Sequence, residues 1–426
     1  MSNNKKFFDV IISGGGLSGS LMALSLADLT KADGSLLSIA IVEANKPEAH
    51  QSAQQSNTPL LFDDRVLALS HASEKYLESV NVWQHLSSEA CPIKKIDISD
   101  RGHYGKARLE AQEHGVAALG YVIPMAKIGQ GQLKELASKH NVQWFTPDTI
   151  ADINWHASNE TAIESQNSVN NNVVVGIILS SGTVLQTSLL LACDGANSPC
   201  RQLANIEVNK SDYQQVALIA NVATKQAHAY KAFERFTEFG PIAMLPLVGL
   251  KNQPNRCSLV WTLSPEQSEQ LLSLNDDEFG RQLEVAFGSW LGEITQVGKR
   301  DVYPLVLLQA KQQAYHRMAL IGNASHTIHP IAGQGFNLGL RDVQLMASLI
   351  EKQLENRLDI GSFALLTEYS QKREQDQKQI ISITDSLVTL FANNLPPLVA
   401  GRNTGLKVMN YFKPLKSTIV NKLMGY

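Results

Sequence analysis

The chain of 426 residues predicts an α/β protein, in which a Rossmann-like dinucleotide-binding domain is interleaved with an antiparallel-sheet domain and followed by C-terminal helices. Three observations predict this class. An apolar strand runs into Gly14-Gly15-Gly16-Leu17-Ser18-Gly19, a G-x-G-x-x-G loop that opens a helix. Two later apolar runs, residues 189–192 and 318–321, each end in a polar, glycine-containing turn, as parallel strands do at their carboxyl ends. Between them lie segments that alternate polar and apolar residues with the period of half-buried strands.

In chain order, Val10, Ile11 and Ile12 form the first strand, and Leu17, Leu21 and Leu24 give the following helix its apolar face. Gly14 permits the tight turn, Gly16 leaves room for a pyrophosphate over the helix N-terminus, and Gly19 lets helix and strand approach. Residues 39–42 form a second buried strand. Glu43 ends it, where a carboxylate either accepts hydrogen bonds from ribose hydroxyls or is a solvated strand end. Residues 51–62 and 165–172 are polar and read as an exposed connection and a hairpin tip. Alternation at 94–98, 215–222 and 258–263 predicts strands of the second domain. After the 189–192 strand, Asp194-Gly195 sits at its carboxyl end, with Ser198 and Arg201 a turn beyond. Asp194 or Ser198 there can equally cap a short helix.

The stretch "ALIGNASHTIHPIAGQGFNLGLRDV" gives strand, glycine-rich turn and amphipathic helix, the helix carrying Phe336, Leu340, Val343, Ala347 and Ile350 on one face. A glycine turn feeding a helix N-terminus suits an electron-rich ligand. The resulting domain expectation is residues 1–90, 120–205 and 300–355 for cofactor binding, 91–119 and 206–299 for the substrate, and 356–426 as a helical region.

A net charge of −3 and an isoelectric point near 6.4 leave no basic footprint for nucleic acid. Cys91, Cys193, Cys200 and Cys257 lack metal or disulfide spacing and read as reduced packing thiols of a cytosolic protein. The N-terminal apolar run reaches glycine within a strand's length, too short for a membrane helix, and no signal peptide is evident. No metal site is expected, since His326 and His329 lack a third ligand and Pro330 breaks the helix that such a pair would use. No Ser-His-Asp or Cys-His arrangement is apparent.

The G-x-G-x-x-G loop, Asp194-Gly195, and the segment running from Gly322-Asn323-Ala324 through His329-Pro330 and Gly333-Gln334-Gly335 to Asn337 together resemble the group A flavoprotein monooxygenases, FAD-dependent aromatic hydroxylases. The strings "FDDRVLALS", "DISDRGHYG", "ALGYVI", "FERFTEFGPIAMLPL" and "CSLVWTL" resemble the ubiquinone-biosynthesis hydroxylases among them, most of all the 2-polyprenyl-6-methoxyphenol hydroxylase branch. The resemblance implies FAD as cofactor, held by Gly14, Gly16, Gly19, Glu43, Arg65, Gln130, Asp194, Gly195, Gly322, Asn323 and Asn337. It places His329, Pro330, Gly333, Gln334 and Gly335 around the flavin ring, with no side-chain nucleophile, and makes Gly333 and Gly335 small because the flavin comes close. Many relatives carry Asp where this chain has Asn323, whose amide can still accept a hydroxyl. The implied reaction inserts one oxygen of O2 into a polyprenyl phenol through a flavin C4a-hydroperoxide, with NAD(P)H, bound only transiently, or another donor supplying electrons.

Under that resemblance "GPIAMLPL" and "SLVWTL" wall the substrate site, and their plain reading is sheet core. Alternatives are hydroxylation of another ubiquinone ring position, action on a small soluble phenol, or a non-catalytic flavoprotein subunit of a biosynthetic complex. Residues 386–426 hold no acidic residue but carry Arg402, Lys407, Lys413, Lys416 and Lys422 among apolar residues. This end suits peripheral contact with the inner membrane, a partner's groove, or simple packing on the body.

Overall fold

The structure, a computed structural model, describes residues 6–46, 65–158, 173–328, 333–392, 396–411 and 413–426. The expected loops at 51–62 and 165–172, and His329 and Pro330, lie outside the described residues.

The first sheet runs in the order β18 (Ala314–Tyr315), β19 (Met318–Leu320), β11 (Val184–Ala192), β1 (Lys6–Ser13), β2 (Ile39–Val42), β8 (Val142–Phe145), with β10 (Val173–Leu179) pairing β11 and β9 (Ile150–Ser158) pairing β10. From β19 to β8 the strands are parallel, and Ser13 is level with Val42 on one side and Ala192 on the other. Residues that alternate along these strands feed two cores, which is why the runs are apolar throughout. Val10, Ile12, Ile39, Ile41, Leu189 and Leu191 pack against α1 (Leu17–Ala27), α3 (Met125–Leu136) and α7 (Gln334–Glu355), while Ile11, Ala40, Val42 and Leu190 pack beneath β9, β10 and α4 (Pro199–Leu203).

The second sheet is mainly antiparallel, in the order β20 (His326–Thr327), β17 (Asp301–Ala310), β12 (Val208–Thr224), β15 (Arg256–Leu263), β14 (Gly240–Leu247), β13 (Lys231–Thr237), β5 (Lys95–Asp100), β6 (Lys106–Glu110), with β16 (Ile294–Val297) against β12. One face is sealed by Phe279, Leu283 and Phe287 of α6 (Asp276–Phe287), which Asn275 and Glu278 start with a capping box; α5 (Pro265–Ser273) precedes it with its own box from Ser264 and Gln267. A third sheet, β3 (Val66–Ser70), β7 (Gly120–Pro124), β4 (Cys91–Ile93), followed after β3 by α2 (His71–Ser79), joins the two.

The strands shift two expected boundaries. Residues 301–310 pair along β12 in the second sheet rather than continuing the cofactor domain, because the long β12 offers β17 an edge on both sides of its bulge at Asp212–Gln215. Residues 91–93 pair with β7 in the third sheet.

The C-terminal region forms α8 (Phe363–Ala392), α9 (Pro396–Tyr411) and α10 (Lys413–Met424). Much of its charge is spent on packing. Arg402 is buried and donates to Asp100 at 2.8 Å, beside Asn403, which bonds Asp100 and the Gly105 amide. A Cβ at Gly105 would meet Asn403, so glycine there admits α9. Lys416 pairs with Glu113, and Lys422 donates to Gln379. Lys407 remains exposed beside the Tyr104 ring. Among the described residues no helix is long and apolar enough to cross a membrane.

Candidate active site

Parallel pairing sets the carboxyl ends of β19, β11, β1 and β2 side by side, and thereby gathers residues 322–323, 194–195, 14–19 and 43. Such a row of strand ends, with β1 between neighbours reached in opposite directions, is where open α/β sheets bind ligands.

The three glycines of the first loop do different work. Gly14 has φ +93°, and a Cβ there would meet the Cys193 carbonyl; a Cβ at Gly19 would sit 1.8 Å from the Gly14 carbonyl oxygen. These two serve the turn and the close packing. Gly16 has an ordinary backbone, φ −64°, and among the described residues a Cβ there would meet nothing within 4 Å. The protein itself does not require glycine at this place, so the small residue keeps space open at the N-terminus of α1. Gly195 also borders open space.

Polar atoms around that space are partly committed. Glu43 is buried; its Oε2 accepts from the Gly15 amide at 2.7 Å and its Oε1 from the Asn45 amide at 2.9 Å and Asn45 Nδ2 at 3.4 Å, so it shapes the loop while Oε2 keeps a lone pair. Asp194 Oδ2 accepts from the Cys200 amide at 3.0 Å, and Ser198 accepts from the Arg201 amide, so both residues cap α4. Asp194 Oδ1 is buried and finds no partner among the described residues. Asn323 is exposed at the end of β19. An open cradle at Gly16, an orphaned acceptor at Asp194 and an amide at Asn323 fit a hydroxyl-rich dinucleotide.

Gly322 has φ +62°, and a Cβ would press on Ser18 and approach Gly339, so this glycine locks β19 to α1 and α7. Its amide donates to Asp342 Oδ2 at 2.8 Å. Asp342, fully buried, also accepts from His326 Nε2 at 3.0 Å and Arg373 Nε at 2.5 Å. Burial alone would raise this carboxyl, but Arg373, His326 and the Gly322 amide outweigh it and hold it below the usual range. His326 is thus part of a structural pair. Among the described residues no group of three His, Cys, Asp or Glu could hold a metal. All four cysteines are free and buried, and burial pushes Cys91 up to about 11 and Cys257 to about 12.

The N-terminus of α7 follows Gly333, which is left-handed at φ +62° and would place a Cβ 2.8 Å from that of Ala68. Packing on β3 therefore explains Gly333 without any cofactor. Gln334 begins the helix, and no side chain caps this first turn. The resemblance puts Asn337 at the cofactor, but its side chain is saturated: Oδ1 accepts from the Ser70 amide and Ser73 hydroxyl, and Nδ2 donates to the Ala68 and Gly333 carbonyls. It clamps α7 to β3. Gly335, by contrast, has no closer neighbour among the described residues than Ile328 at 4.0 Å. Gly335→Val should keep the melting temperature within about 1 °C, as for a change that meets no core, yet lower turnover sharply if a reacting ring lies there. Unchanged turnover would place the reaction elsewhere. Gly333→Val is less informative, because it strains the backbone and collides with β3.

Arg65 lies at the start of β3 with its guanidinium 4.8 Å from the Tyr303 ring of β17, and so joins the third sheet to the second. Gln130 lines a surface hollow of about 350 Å³ with His85, Glu89 and Lys134. The glutamine of α3 that touches the first loop is Gln132, fully buried, donating to the Leu17 carbonyl at 3.1 Å with its Oε1 unpartnered among the described residues. Its only sequence signal is a polar residue on the buried face of α3.

A Rossmann-like sheet with a glycine cradle at its switch point, backed by an antiparallel sheet and a second strand-to-helix glycine turn, defines a dinucleotide-binding flavoprotein of the monooxygenase fold. The chain belongs to the FAD binding domain family, which matches residues 8–384. It is 32% identical over 99% of its length to the ubiquinone hydroxylase UbiL of Rhodospirillum rubrum, 90% of which is covered. It is 29% identical to the mitochondrial ubiquinone biosynthesis monooxygenase COQ6 of Mus musculus, over 97% of this chain and 90% of the relative. Among solved structures, p-nitrophenol 4-monooxygenase PnpA of Pseudomonas putida shares the fold at a TM-score of 0.73 and 17% identity, covering 99% of each chain. The protein is therefore an FAD-dependent monooxygenase related to the ubiquinone-biosynthesis hydroxylases.

Proposed function

We propose that the protein hydroxylates a polyprenylated methoxyphenol on the route to ubiquinone, taking electrons from NAD(P)H. One oxygen of O2 enters the ring and the other leaves as water, so phenol, O2, NAD(P)H and a proton yield hydroxylated phenol, NAD(P)+ and water. The observation that carries this reading is the end-to-end similarity to a ubiquinone hydroxylase. An apolar face on the second sheet, described below, supports it, since each buried CH2 of a prenyl tail contributes about 0.8 kcal/mol.

Bound FAD supplies the electron transfer and O2 activation that side chains do not provide. The chain's own groups hold and shield it. The space at Gly16 with the N-terminus of α1 suits a pyrophosphate, Glu43, Asp194 and Asn323 offer acceptors to ribose or ribityl hydroxyls, and the N-terminus of α7 favours negative charge on the reduced ring. Because the tail prefers lipid, the enzyme works as a peripheral protein at the cytoplasmic side of the inner membrane. A strain lacking this protein should accumulate the polyprenyl methoxyphenol that lacks one ring hydroxyl. Accumulation of a later ring intermediate, or normal ubiquinone, would contradict the assignment.

A further inference from the structure

The face of the second sheet turned away from α6 carries one row of residues set directly opposite one another: Ile98 of β5, Glu234 of β13, Ala243 of β14, Val260 of β15 and Ile219 of β12. All five are only partly buried. Glu234 makes no hydrogen bond or ion pair among the described residues, and burial pushes its carboxyl up to about 7. An isolated carboxylate amid aliphatic residues is costly to keep for stability alone.

Its position leads to the reacting end of the cofactor site. Ala232 and Leu245, two residues from Glu234 and from its partner Ala243 on the same face, pack with Val66 of β3. Two residues along β3, Ala68 abuts Gly333 at the N-terminus of α7. Tyr303, also on this face, carries Arg65 over its ring.

We propose that Glu234 receives the hydroxyl of the phenolic substrate: its carboxylate binds the O–H of the ring as it enters between the second sheet and β3, and accepts that proton during oxygen insertion. The phenol O–H bond breaks and a carboxyl O–H bond forms, which leaves an electron-rich phenolate. When the ring carbon that gains oxygen loses its hydrogen as a proton to the second oxygen atom of O2, which leaves as water, the carboxyl returns its own proton to the phenolate oxygen, so Glu234 ends unchanged. O2 remains the oxidant and NAD(P)H the reductant, and the inference rests on the hydroxylase reading above.

Among the described residues the other charged groups around this row are held: Arg65 lies over Tyr303 and Arg256 of β15 donates to the Val248 carbonyl. Asp100, diagonal to Glu234, is bound by Arg402 of α9 and Asn403; Asp301 beyond Ile219 pairs with Lys299; Lys416 and Lys422 of α10 are held by Glu113 and Gln379. Lys231 and Arg235 project from the other face of β13, toward Asp97 and Trp290. The pH response near neutrality is therefore assigned to Glu234.

The test compares wild-type holoenzyme with Glu234→Gln and Glu234→Asp, using 2-prenyl-6-methoxyphenol and its methyl ether as probes. In the wild type, binding followed by the flavin spectrum should favour the phenol over the ether by at least tenfold, and kcat/KM should rise with pH through a limb near 7. Glu234→Gln should keep its FAD, weaken the phenol preference because an amide oxygen accepts less strongly than a carboxylate, lose about 100-fold in kcat/KM as removal of a general base does, and lose the limb. Glu234→Asp should restore part of the rate and the limb. Wild-type rate and an intact limb in Glu234→Gln would overturn the inference while leaving the hydroxylase reading standing. Phenol preference in the wild type that falls in Glu234→Gln, without turnover in either, would uphold the contact and overturn the reaction assigned to it. A wild type that binds phenol and ether alike would overturn the inference outright.

Discussion

Gly16→Val is expected to give a folded protein with much less bound FAD. The backbone at Gly16 is one that valine adopts freely, and no atom of the described residues lies within 4 Å of the added Cβ, so the apoprotein should melt where the wild-type apoprotein does. The branched side chain instead occupies the space that the proposed site leaves for the pyrophosphate. Overpacking of about 1–3 kcal/mol, converted at 1.4 kcal/mol per decade, lowers FAD affinity roughly 5- to 140-fold. Absorbance of FAD per chain, read alongside apoprotein melting, separates this from misfolding. Gly19→Ala is the control: its Cβ meets the Gly14 carbonyl, so it should cost stability as well as FAD. Full flavin content at wild-type affinity in Gly16→Val would remove the first loop from the cofactor site.

Asp342→Ala should be the most destabilising single change near the site. It strands the Gly322 amide, the His326 Nε2 and one side of the Arg373 guanidinium in a fully buried setting, at a cost of about 3–5 kcal/mol. Because the folded carboxyl lies below its usual pKa, its contribution is present above about pH 4, the unfolded value, and is lost as pH falls through the lower folded value. Denaturant unfolding should thus show a constant gap between wild type and variant from pH 6 to 8 that closes in strong acid. Replacing Arg373 as well, by Met, should recover part of the loss, since the unmatched charge goes with it. No gap at neutral pH would show that the network is dispensable.

Both changes bear on what the sequence made legible. Strands β1, β2, β11 and β19 could be read because parallel strands buried on both faces are apolar at every position, and their ends were marked by glycine and acid residues. Gly14, Gly16 and Gly19 followed from the loop's place between strand and helix. The pattern could not say why Gly333 is glycine, since the reason, Ala68, is distant in the chain. Nor could it tell that Asn337 is saturated by β3 and α2, or that Gln132 and not Gln130 reaches the first loop. Nothing in the pattern singles out Asp342 or Arg373, and Arg402 and Lys416 suit lipid, a partner or packing alike; tertiary packing makes all four members of buried pairs. In "FERF" a strand period says that Glu234 and Arg235 point opposite ways. Which one faces the substrate side depends on α6 covering the other face.

The claim that this FAD-dependent monooxygenase hydroxylates a polyprenyl methoxyphenol is tested most directly by one turnover of the purified protein. FAD reduced with NAD(P)H under nitrogen is mixed with 18O2 and a short-chain 2-prenyl-6-methoxyphenol, and the product is weighed by mass spectrometry. The account predicts a phenol carrying one additional oxygen, labelled with 18O, in an amount matching the flavin reoxidised. Reoxidation that yields hydrogen peroxide with unchanged phenol, at a rate indifferent to its presence, would contradict it.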